Sequence, residues 1–251
     1  MATGQVFRVL VPKQGNIEQE CEDSISVKIT KEKDNRQLVR IAIADGATES
    51  SFAKEWANSL TKVFKKSRLP LDEFLFSKLP SLRKEWSISI QNVELPWYAQ
   101  EKARSGAYSA FLGIIVDLEA LNFEALAIGD CCFFQIRNEI VIRQFPLNSS
   151  IEFGNNPYLI SSNENRNSEL TNYVVNVKGE LNKGDVLLLM SDALAHWFAK
   201  NIELGERPWN ILLGFIGKTR FRKQKFNSWL SDQRFSKEVK NDDVVLAIIE
   251  I

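Results

Sequence analysis

The sequence predicts an α+β fold in which antiparallel sheets pack together and helices lie outside them. Short strand-like segments joined by tight connections follow one another in the middle of the chain. Helical segments stand apart from these strands, and this segregation is typical of layered α+β folds. The apolar run over 186–190 predicts a fully buried strand. The length of 251 residues suits one large domain or two small ones.

The N-terminal part of the chain predicts two strands, over 24–29 and 38–44. The second is expected to end at a turn formed by Asp45 and Gly46. A helix is predicted over about 50–66, because bulky apolar side chains recur there at every fourth position. These side chains are Phe52, Trp56, Leu60 and Phe64.

The pattern of strands and helices continues to the end of the chain. A second helical region is expected from about Pro80 to residue 104, interrupted near Pro96. An antiparallel meander is predicted next, and a polar, Asn- and Ser-rich stretch over 148–172 is expected to be a surface excursion. The meander strands are expected over 107–116, 123–128, 131–137 and 139–145. The remaining elements are strands over 173–177, 186–190 and 244–251, a helix from about Asp192, and helices over about 208–229.

Composition narrows the classes of partner. The chain has 32 basic and 32 acidic residues, so no overall field favours nucleic acid or an anionic membrane. No run approaches the ~20 apolar residues that span a bilayer, and the N-terminus lacks an apolar signal core. We therefore expect a cytoplasmic protein. The thiols of Cys21, Cys131 and Cys132 lack the spacing of a metal or disulfide framework, and the basic run over 218–225 is expected to be solvated.

Acidic residues recur where apolar strands begin or end. They are Asp45, Asp130, Asp192 and the pairs Glu22–Asp23 and Asp242–Asp243. A carboxylate at the end of a buried strand is costly unless it is solvated, hydrogen-bonded or bound to a cation. Five strands marked in this way predict carboxylates that converge at one edge, where they suit Mg²⁺ or Mn²⁺. Alternatively, each acid is only a turn residue or a helix cap, as Asp192 could be for its helix.

The order of the motifs resembles the metal-dependent serine/threonine protein phosphatases of the PPM, or type 2C, family. The resemblance rests on the Glu22–Asp23 pair, IAIADGATES, SGAYSAFLGIIV, LAIGDCCFFQIR, GDVLLLMSDALAHWF and NDDVVLAII, and it covers about residues 11–251. It implies a four-layer α-β-β-α sandwich of two antiparallel sheets flanked by helices. It also implies one catalytic domain over 1–251.

The resemblance further implies a set of metal-binding residues. They are Glu22, Asp45, Gly46, Asp130, Asp192 and Asp242. Asp45 would bridge two Mg²⁺ or Mn²⁺ ions, and Asp45 and Asp192 are the implied catalytic residues. Glu22 and the backbone carbonyl of Gly46 would complete one ion site. Asp242 would join Asp192 at the other, and Asp130 with Asp192 would hold a weaker third ion. A metal-activated water would then hydrolyse phosphoserine or phosphothreonine directly.

The sequence also departs from the family pattern. Glu18 stands where many members carry a phosphate-binding Arg, and Ala47 stands where some carry a His. Ala193 and Val245 replace a common Gly and a common Thr or Ser. Lys13 or another basic residue could grip the phosphate instead. These changes leave open an alternative, a phosphatase-like binding or regulatory module with little turnover.

The resemblance also implies the partners of this protein, and the sequence contains a single histidine whose role must be considered. The implied partners are phosphoproteins, namely a Ser/Thr kinase or its substrates, with no nucleic acid and no membrane, and the protein is expected to be a monomer. The excursion over 148–172 is expected to influence substrate choice. His196 lies one helical turn after Asp192 and could be a ligand or a general acid, but we expect it to pack beside Trp197. A Ser-His-Asp hydrolase is disfavoured, since no nucleophile-elbow motif is present.

Overall fold

A computed structural model describes residues 6–32, 36–91, 103, 105–154, 156–216 and 221–251. Its strands are β1 Val6–Val11, β2 Ser24–Lys31, β3 Gln37–Gly46, β4 Tyr108–Asp117, β5 Asn122–Ile128, β6 Cys132–Arg137, β7 Ile140–Phe145, β8 Ile160–Ser161, β9 Val175–Glu180, β10 Val186–Met190 and β11 Val244–Glu250. Its helices are α1 Ala53–Lys66, α2 Leu71–Gln91, α3 Asp192–Glu203, α4 Pro208–Leu213 and α5 Arg222–Phe235.

The described strands form two antiparallel sheets. One has the order β1-β11-β10-β6-β7, and the other has the order β2-β3-β4-β5-β9 with β8 paired to β4. An apolar core fills the space between the sheets, and it includes Ile41, Leu112 and Leu189. Helices α1 and α2 pack on the β2-containing sheet, and α3 to α5 pack on the other. The predicted α+β fold with an α-β-β-α layer order is confirmed.

Helix α1 shows why these layers form. Its residues Trp56, Leu60 and Phe64 are all fully buried against the sheet. The four-residue spacing places these side chains on one face of the helix, as the sequence predicts. Phe52 precedes the helix with a positive φ of 62°, so the helix begins later than the apolar spacing alone suggests.

The predicted turn at Asp45 and Gly46 is wrong. Both residues belong to β3, where Asp45 pairs with Ala110 and Gly46 with Ser109. Pairing with β4 continues past the Asp-Gly signal, because the glycine lets the backbone pass close to its neighbours. A Cβ atom added to Gly46 would lie 2.8 Å from the carbonyl oxygen of Glu22. The turn therefore follows Gly46, and Asp45 is held on a regular strand.

The predicted four-strand meander is also wrong, although its strands exist. Strands β4 and β5 pair in one sheet, whereas β6 and β7 pair in the other. The chain crosses between the sheets at Gly129 and Asp130. Gly129 has a φ of 89°, and an added Cβ would lie 2.7 Å from the Cβ of Ala110. Local turn signals cannot distinguish such a crossing from a hairpin, because both need a tight, glycine-containing connection.

Two further expectations need revision. Pro80 lies inside α2 and does not begin a helix there. The end of the helix predicted up to 104 falls mostly outside the described residues. The polar excursion over 148–172 lies only partly on the surface, because β8 is buried and pairs with Tyr108 and Ser109. None of the helices in the described ranges is long and apolar enough to cross a membrane.

Candidate metal centre

Strand-end carboxylates from both sheets meet at one end of the sandwich. Asp23 precedes β2 and Asp45 lies near the end of β3, which are neighbours in one sheet. Asp192 follows β10 and Asp242 precedes β11, which are neighbours in the other sheet. Asp130 lies in the crossing between the sheets. We call these five residues the acidic cluster, and the predicted convergence of Asp45, Asp130, Asp192 and Asp242 corresponds to its arrangement.

Asp45 is at the centre of the acidic cluster. Burial raises the pKa of its carboxyl group well above the usual range, and the negative charges of Asp23, Asp192 and Asp130 raise it further. Asp45 and Asp192 share a hydrogen bond between their side chains, which raises the pKa of Asp45 and opposes the rise for Asp192. Both buried carboxyl groups therefore have raised pKa values, and the pair favours holding a proton. Such a proton would be released when a cation replaces it.

Asp23 is the member of the cluster that the predicted ligand set omits. Its side chain is 4% exposed, and its Oδ2 atom is buried without a hydrogen-bond partner. Burial raises the pKa of this carboxyl group, while a hydrogen bond with Ser191 opposes the rise. Strand alternation could have identified Asp23 in advance. It shares the odd-numbered face of β2 with Ile25 and Val27, which pack between the sheets.

Glu22 lies at the rim of the cluster. Its Oε2 atom accepts a hydrogen bond from the Thr48 hydroxyl at 2.6 Å and lies 3.6 Å from Nζ of Lys13. Nζ of Lys13 is also 3.4 Å from Oγ1 of Thr48. The backbone carbonyl of Glu22 is the group that packs closely on Gly46. Lys13 is therefore close to the Asp45–Gly46 segment. From the sequence, this lysine is a candidate to replace the phosphate-binding Arg.

Asp192 and Asp242 are linked by a lysine. Nζ of Lys240 lies 2.6 Å from Oδ2 of Asp242 and 3.8 Å from Oδ2 of Asp192. Asp192 is the first residue of α3, so the cap position belongs to Ser191, whose hydroxyl instead accepts the Val245 N–H at 2.9 Å. Oδ1 of Asp192 accepts the backbone N–H of Ala193 at 2.5 Å, so the carboxylate also satisfies a donor in the first turn of α3. Its carboxylate faces the cluster.

Asp130 completes the cluster at the sheet crossing. Burial raises the pKa of its carboxyl group from 3.8 to about 7, and the negative charge of Asp192 contributes to the rise. The Asp130 carbonyl oxygen lies 3.4 Å from Sγ of Cys132. Cys131 packs between the sheets and Cys132 packs toward the helices. The two thiols are free and point to opposite faces, as the sequence predicts.

A second layer of polar contacts supports the cluster. The Asp243 carboxylate accepts the backbone N–H groups of Lys13 at 2.8 Å and Glu22 at 2.7 Å. Arg234, from α5, donates to the carbonyl oxygen of Pro12 at 3.0 Å and to that of Asp242. These contacts tie the segment between β1 and β2 to the start of β11. Sequence reasoning named Asp243 among the strand-end acids but missed Arg234, and nothing local identifies which distant backbone groups the two residues bind.

The chemistry of the cluster fits a hard divalent cation. Its donors are carboxylate oxygens, and the pKa values of Asp23 and Asp45 are raised first by burial and then by neighbouring negative charges. Oδ2 of Asp23 has no hydrogen-bond partner. Within the described ranges, no three His, Cys, Asp or Glu side chains are close enough together to hold an ion as they stand. A divalent ion would attract further carboxylate oxygens toward Asp45 and Asp192, because their charges are opposite to its own.

The remaining polar candidates lie away from the cluster. His196 is exposed, and its ring centroid is 5.5 Å from that of Phe153 in the excursion. Glu18 belongs to a short 3-10 helix and is exposed. The structure thus separates His196 from the carboxylates, although it lies only one helical turn after Asp192.

The packed sheets and flanking helices give this chain the fold of solved serine and serine/threonine phosphatases. A bacterial serine phosphatase is similar over 98% of this chain and 97% of its own, with a TM-score of 0.63 and 15% identity. The serine/threonine phosphatase Stp1 from Staphylococcus aureus is similar over 100% of this chain and 95% of its own, with a TM-score of 0.62 and 19% identity. The photosystem II phosphatase PBCP is similar over 98% of both chains, with a TM-score of 0.58 and 14% identity. No family model and no curated protein sequence matches the chain.

Proposed function

We propose that this protein is a metal-dependent phosphatase that hydrolyses phosphoserine and phosphothreonine on proteins. The observation that carries the proposal is the acidic cluster, in which Asp45 from one sheet meets Asp192 from the other. The fold supports it, since structures with this fold include serine and serine/threonine phosphatases. The proposed catalytic unit is a single domain over 1–251, acting in the cytoplasm as a monomer.

In this proposal, the acidic cluster holds two Mg²⁺ or Mn²⁺ ions. Asp45 would help to hold both ions, Asp192 and Asp242 would hold one of them, and Glu22 with the Gly46 carbonyl would hold the other. Asp130 and Asp192 offer a weaker third position. We add Asp23 to this proposed set, because its Oδ2 atom has no hydrogen-bond partner and its charge raises the pKa of Asp45.

The proposed reaction divides the work between the ions and the chain. Bound divalent ions would acidify a water and offset negative charge on the phosphoryl group. The raised pKa of Asp45 means that its carboxyl group gives up a proton as it takes on an ion. Lys13 lies beside Glu22 and Thr48, and its ammonium group is placed to bind a phosphoryl oxygen in place of the missing arginine.

Substrates and partners follow from the same proposal. The proposed partners are phosphoproteins, namely a Ser/Thr kinase or the proteins that it phosphorylates. The excursion over 148–172 is the proposed determinant of substrate choice. Its β8 segment pairs with Ser109, whose hydroxyl donates to the Asp45 carbonyl oxygen at 2.8 Å. The excursion is thus connected to the cluster through one strand.

Hydrolysis of a phosphothreonine peptide with added Mn²⁺ tests the proposal. We expect metal-dependent release of phosphate, and a loss of at least about a hundredfold in Asp45→Asn, since the bridging charge is removed. Asp232→Asn is the matched control, because Asp232 is an exposed acid on α5. Calorimetry should show that Asp45→Asn, but not Asp232→Asn, loses Mn²⁺ binding. A folded wild-type protein without metal-stimulated turnover would contradict the enzymatic proposal.

The alternative is a phosphatase-like module that binds a phosphoprotein with little turnover. Glu18 and Ala47 favour it, because they stand where a phosphate-binding Arg and a His occur in the family that this chain resembles. The same peptide distinguishes the two functions. Metal-dependent binding of the phosphopeptide without phosphate release would support the module.

A further inference from the structure

A lysine occupies the position between two proposed metal ligands. Nζ of Lys240 lies 2.6 Å from Oδ2 of Asp242 and 3.8 Å from Oδ2 of Asp192. Lys240 follows α5 and comes two residues before Asp242, so the chain holds it beside the cluster. Its ammonium group therefore neutralises part of the charge that would attract a divalent ion.

The ammonium group and a divalent ion cannot share these carboxylate oxygens. Oxygen ligands surround Mg²⁺ at about 2.1 Å, so an ion on Oδ2 of Asp242 would lie within a few ångströms of an ammonium group that is 2.6 Å from the same oxygen. Two cations at that spacing repel each other strongly, because little solvent lies between them to screen their charges. An ion that binds Asp192 and Asp242 must first move the lysine away.

The lysine has room to move. Its side chain is 66% exposed, whereas those of Asp192 and Asp242 are 22% and 28% exposed. A lysine head group is a mobile point charge on a flexible stem, unlike the planar fork of arginine. The ion pair with Asp242 can therefore open without moving β11 or α3.

We propose that Lys240 is an internal competitor of the metal, whose ammonium group a divalent ion must displace from Asp192 and Asp242. This inference rests on the proposed function, since it concerns the ion that the phosphatase would use. Lys240 thereby sets the ion affinity of the site. At low ion concentration, the ammonium group of Lys240 stays beside the two carboxylates. As the concentration rises, the divalent ion displaces it.

Calorimetric titration of the full-length, chelator-treated protein with Mn²⁺ tests the proposal. We expect Lys240→Gln to bind Mn²⁺ about threefold to tenfold more tightly than wild type, because the competing charge is gone. Lys240→Arg should retain an affinity near that of wild type. Lys200→Gln is the matched control, because Lys200 pairs with Glu238 away from the cluster. Lys240→Met offers a second neutral variant if Lys240→Gln does not fold.

Chemical labelling gives an independent measurement. Acetylation of lysines, read by mass spectrometry, should increase at Lys240 when Mn²⁺ is added and stay constant at Lys200. Equal or weaker Mn²⁺ binding by the neutral variants, or unchanged labelling of Lys240, would overturn the inference while leaving the proposed function intact. If folded wild-type protein and the neutral variants all fail to bind Mn²⁺, both the inference and the proposed metal dependence are wrong.

Discussion

The carboxylate of Asp243 accepts a hydrogen bond from the backbone N–H of Glu22 at 2.7 Å, which joins the start of β11 to the start of β2. The same carboxylate accepts the N–H of Lys13 at 2.8 Å. Asp243 is 4% exposed, so water offers these N–H groups little replacement. One buried side chain thus holds both Lys13 and Glu22 beside the acidic cluster.

Replacing Asp243 should therefore destabilise the protein. Asp243→Ala leaves two backbone N–H groups without their acceptor, and we expect the free energy of unfolding to fall by about 2–4 kcal/mol. Asp243→Asn keeps one acceptor oxygen and should lose less. Urea denaturation measures both effects, with Asp232→Ala as the control on an exposed helix face. Equal stability of Asp243→Ala and wild type would show that these hydrogen bonds contribute nothing.

The metal-free protein should become less stable as the pH rises from about 4 to about 7. The pKa of Asp130 is raised from 3.8 to about 7, so the folded state binds its proton more tightly than the unfolded state does. The stabilisation is complete below the unfolded pKa and is lost as the pH rises through the folded value. At about 1.4 kcal/mol per pKa unit, Asp130 contributes up to about 4 kcal/mol.

Thermal denaturation at several pH values measures this effect. Asp130→Asn should reduce the decline between about pH 4 and 7, because one of the titrating carboxyl groups is gone. Saturating Mn²⁺ should reverse the decline, since bound cations favour the ionised carboxylates. A stability that rises steadily with pH in the metal-free wild type would contradict the assignment.

Lys13 should contribute to substrate binding more than to the chemical step. Its Nζ lies near Thr48 and Glu22, at the edge of the cluster where a phosphoryl group would enter. We expect Lys13→Gln to raise KM for a phosphopeptide about tenfold with a smaller change in kcat, because a charge-assisted contact is worth about 1.5–3 kcal/mol. Lys200→Gln is the control. An unchanged KM would assign phosphate binding to another group.

Asn167 should govern how the excursion affects substrate choice. Its Oδ1 accepts a hydrogen bond from Nη2 of Arg83 at 3.0 Å, and its Nδ2 donates to the Leu159 carbonyl oxygen at 3.0 Å. Asn167→Ala should loosen the excursion over 148–172 and broaden the preference among phosphopeptides, while Mn²⁺ affinity stays constant. Kinetics on a peptide panel measure this effect. An unchanged preference among the peptides would show that the excursion does not determine substrate choice.

The sequence predicts the parts of this molecule that depend on local pattern. The spacing of Trp56, Leu60 and Phe64 predicts the buried face of α1, and the apolar run over 186–190 predicts β10. Strand alternation would also have placed Asp23 on the same face as Asp45. The crossing at Gly129 could not be predicted, because a tight glycine connection serves a hairpin equally well.

The contacts around the acidic cluster were harder to predict because they join distant parts of the chain. Asp243 binds backbone N–H groups near the N-terminus, and Arg234 reaches the carbonyl of Pro12. Backbone N–H and C=O groups are the same in nearly every residue, so a sequence pattern cannot reveal which of them a distant side chain binds. The ion pair of Lys240 with Asp242 depends on how the segment before β11 approaches α3, which only the packed structure shows.

The crossing at Gly129 has a mechanical consequence. Because the chain passes between the sheets there, the carboxylates at that end belong to two layers that can separate slightly or close. An ion held by Asp45 and Asp192 would cross-link the two sheets, because each sheet supplies one of its ligands. The affinity for the ion would fall whenever that end of the sandwich opens. Ion affinity and the slow local opening of the protein core would therefore depend on the same motion.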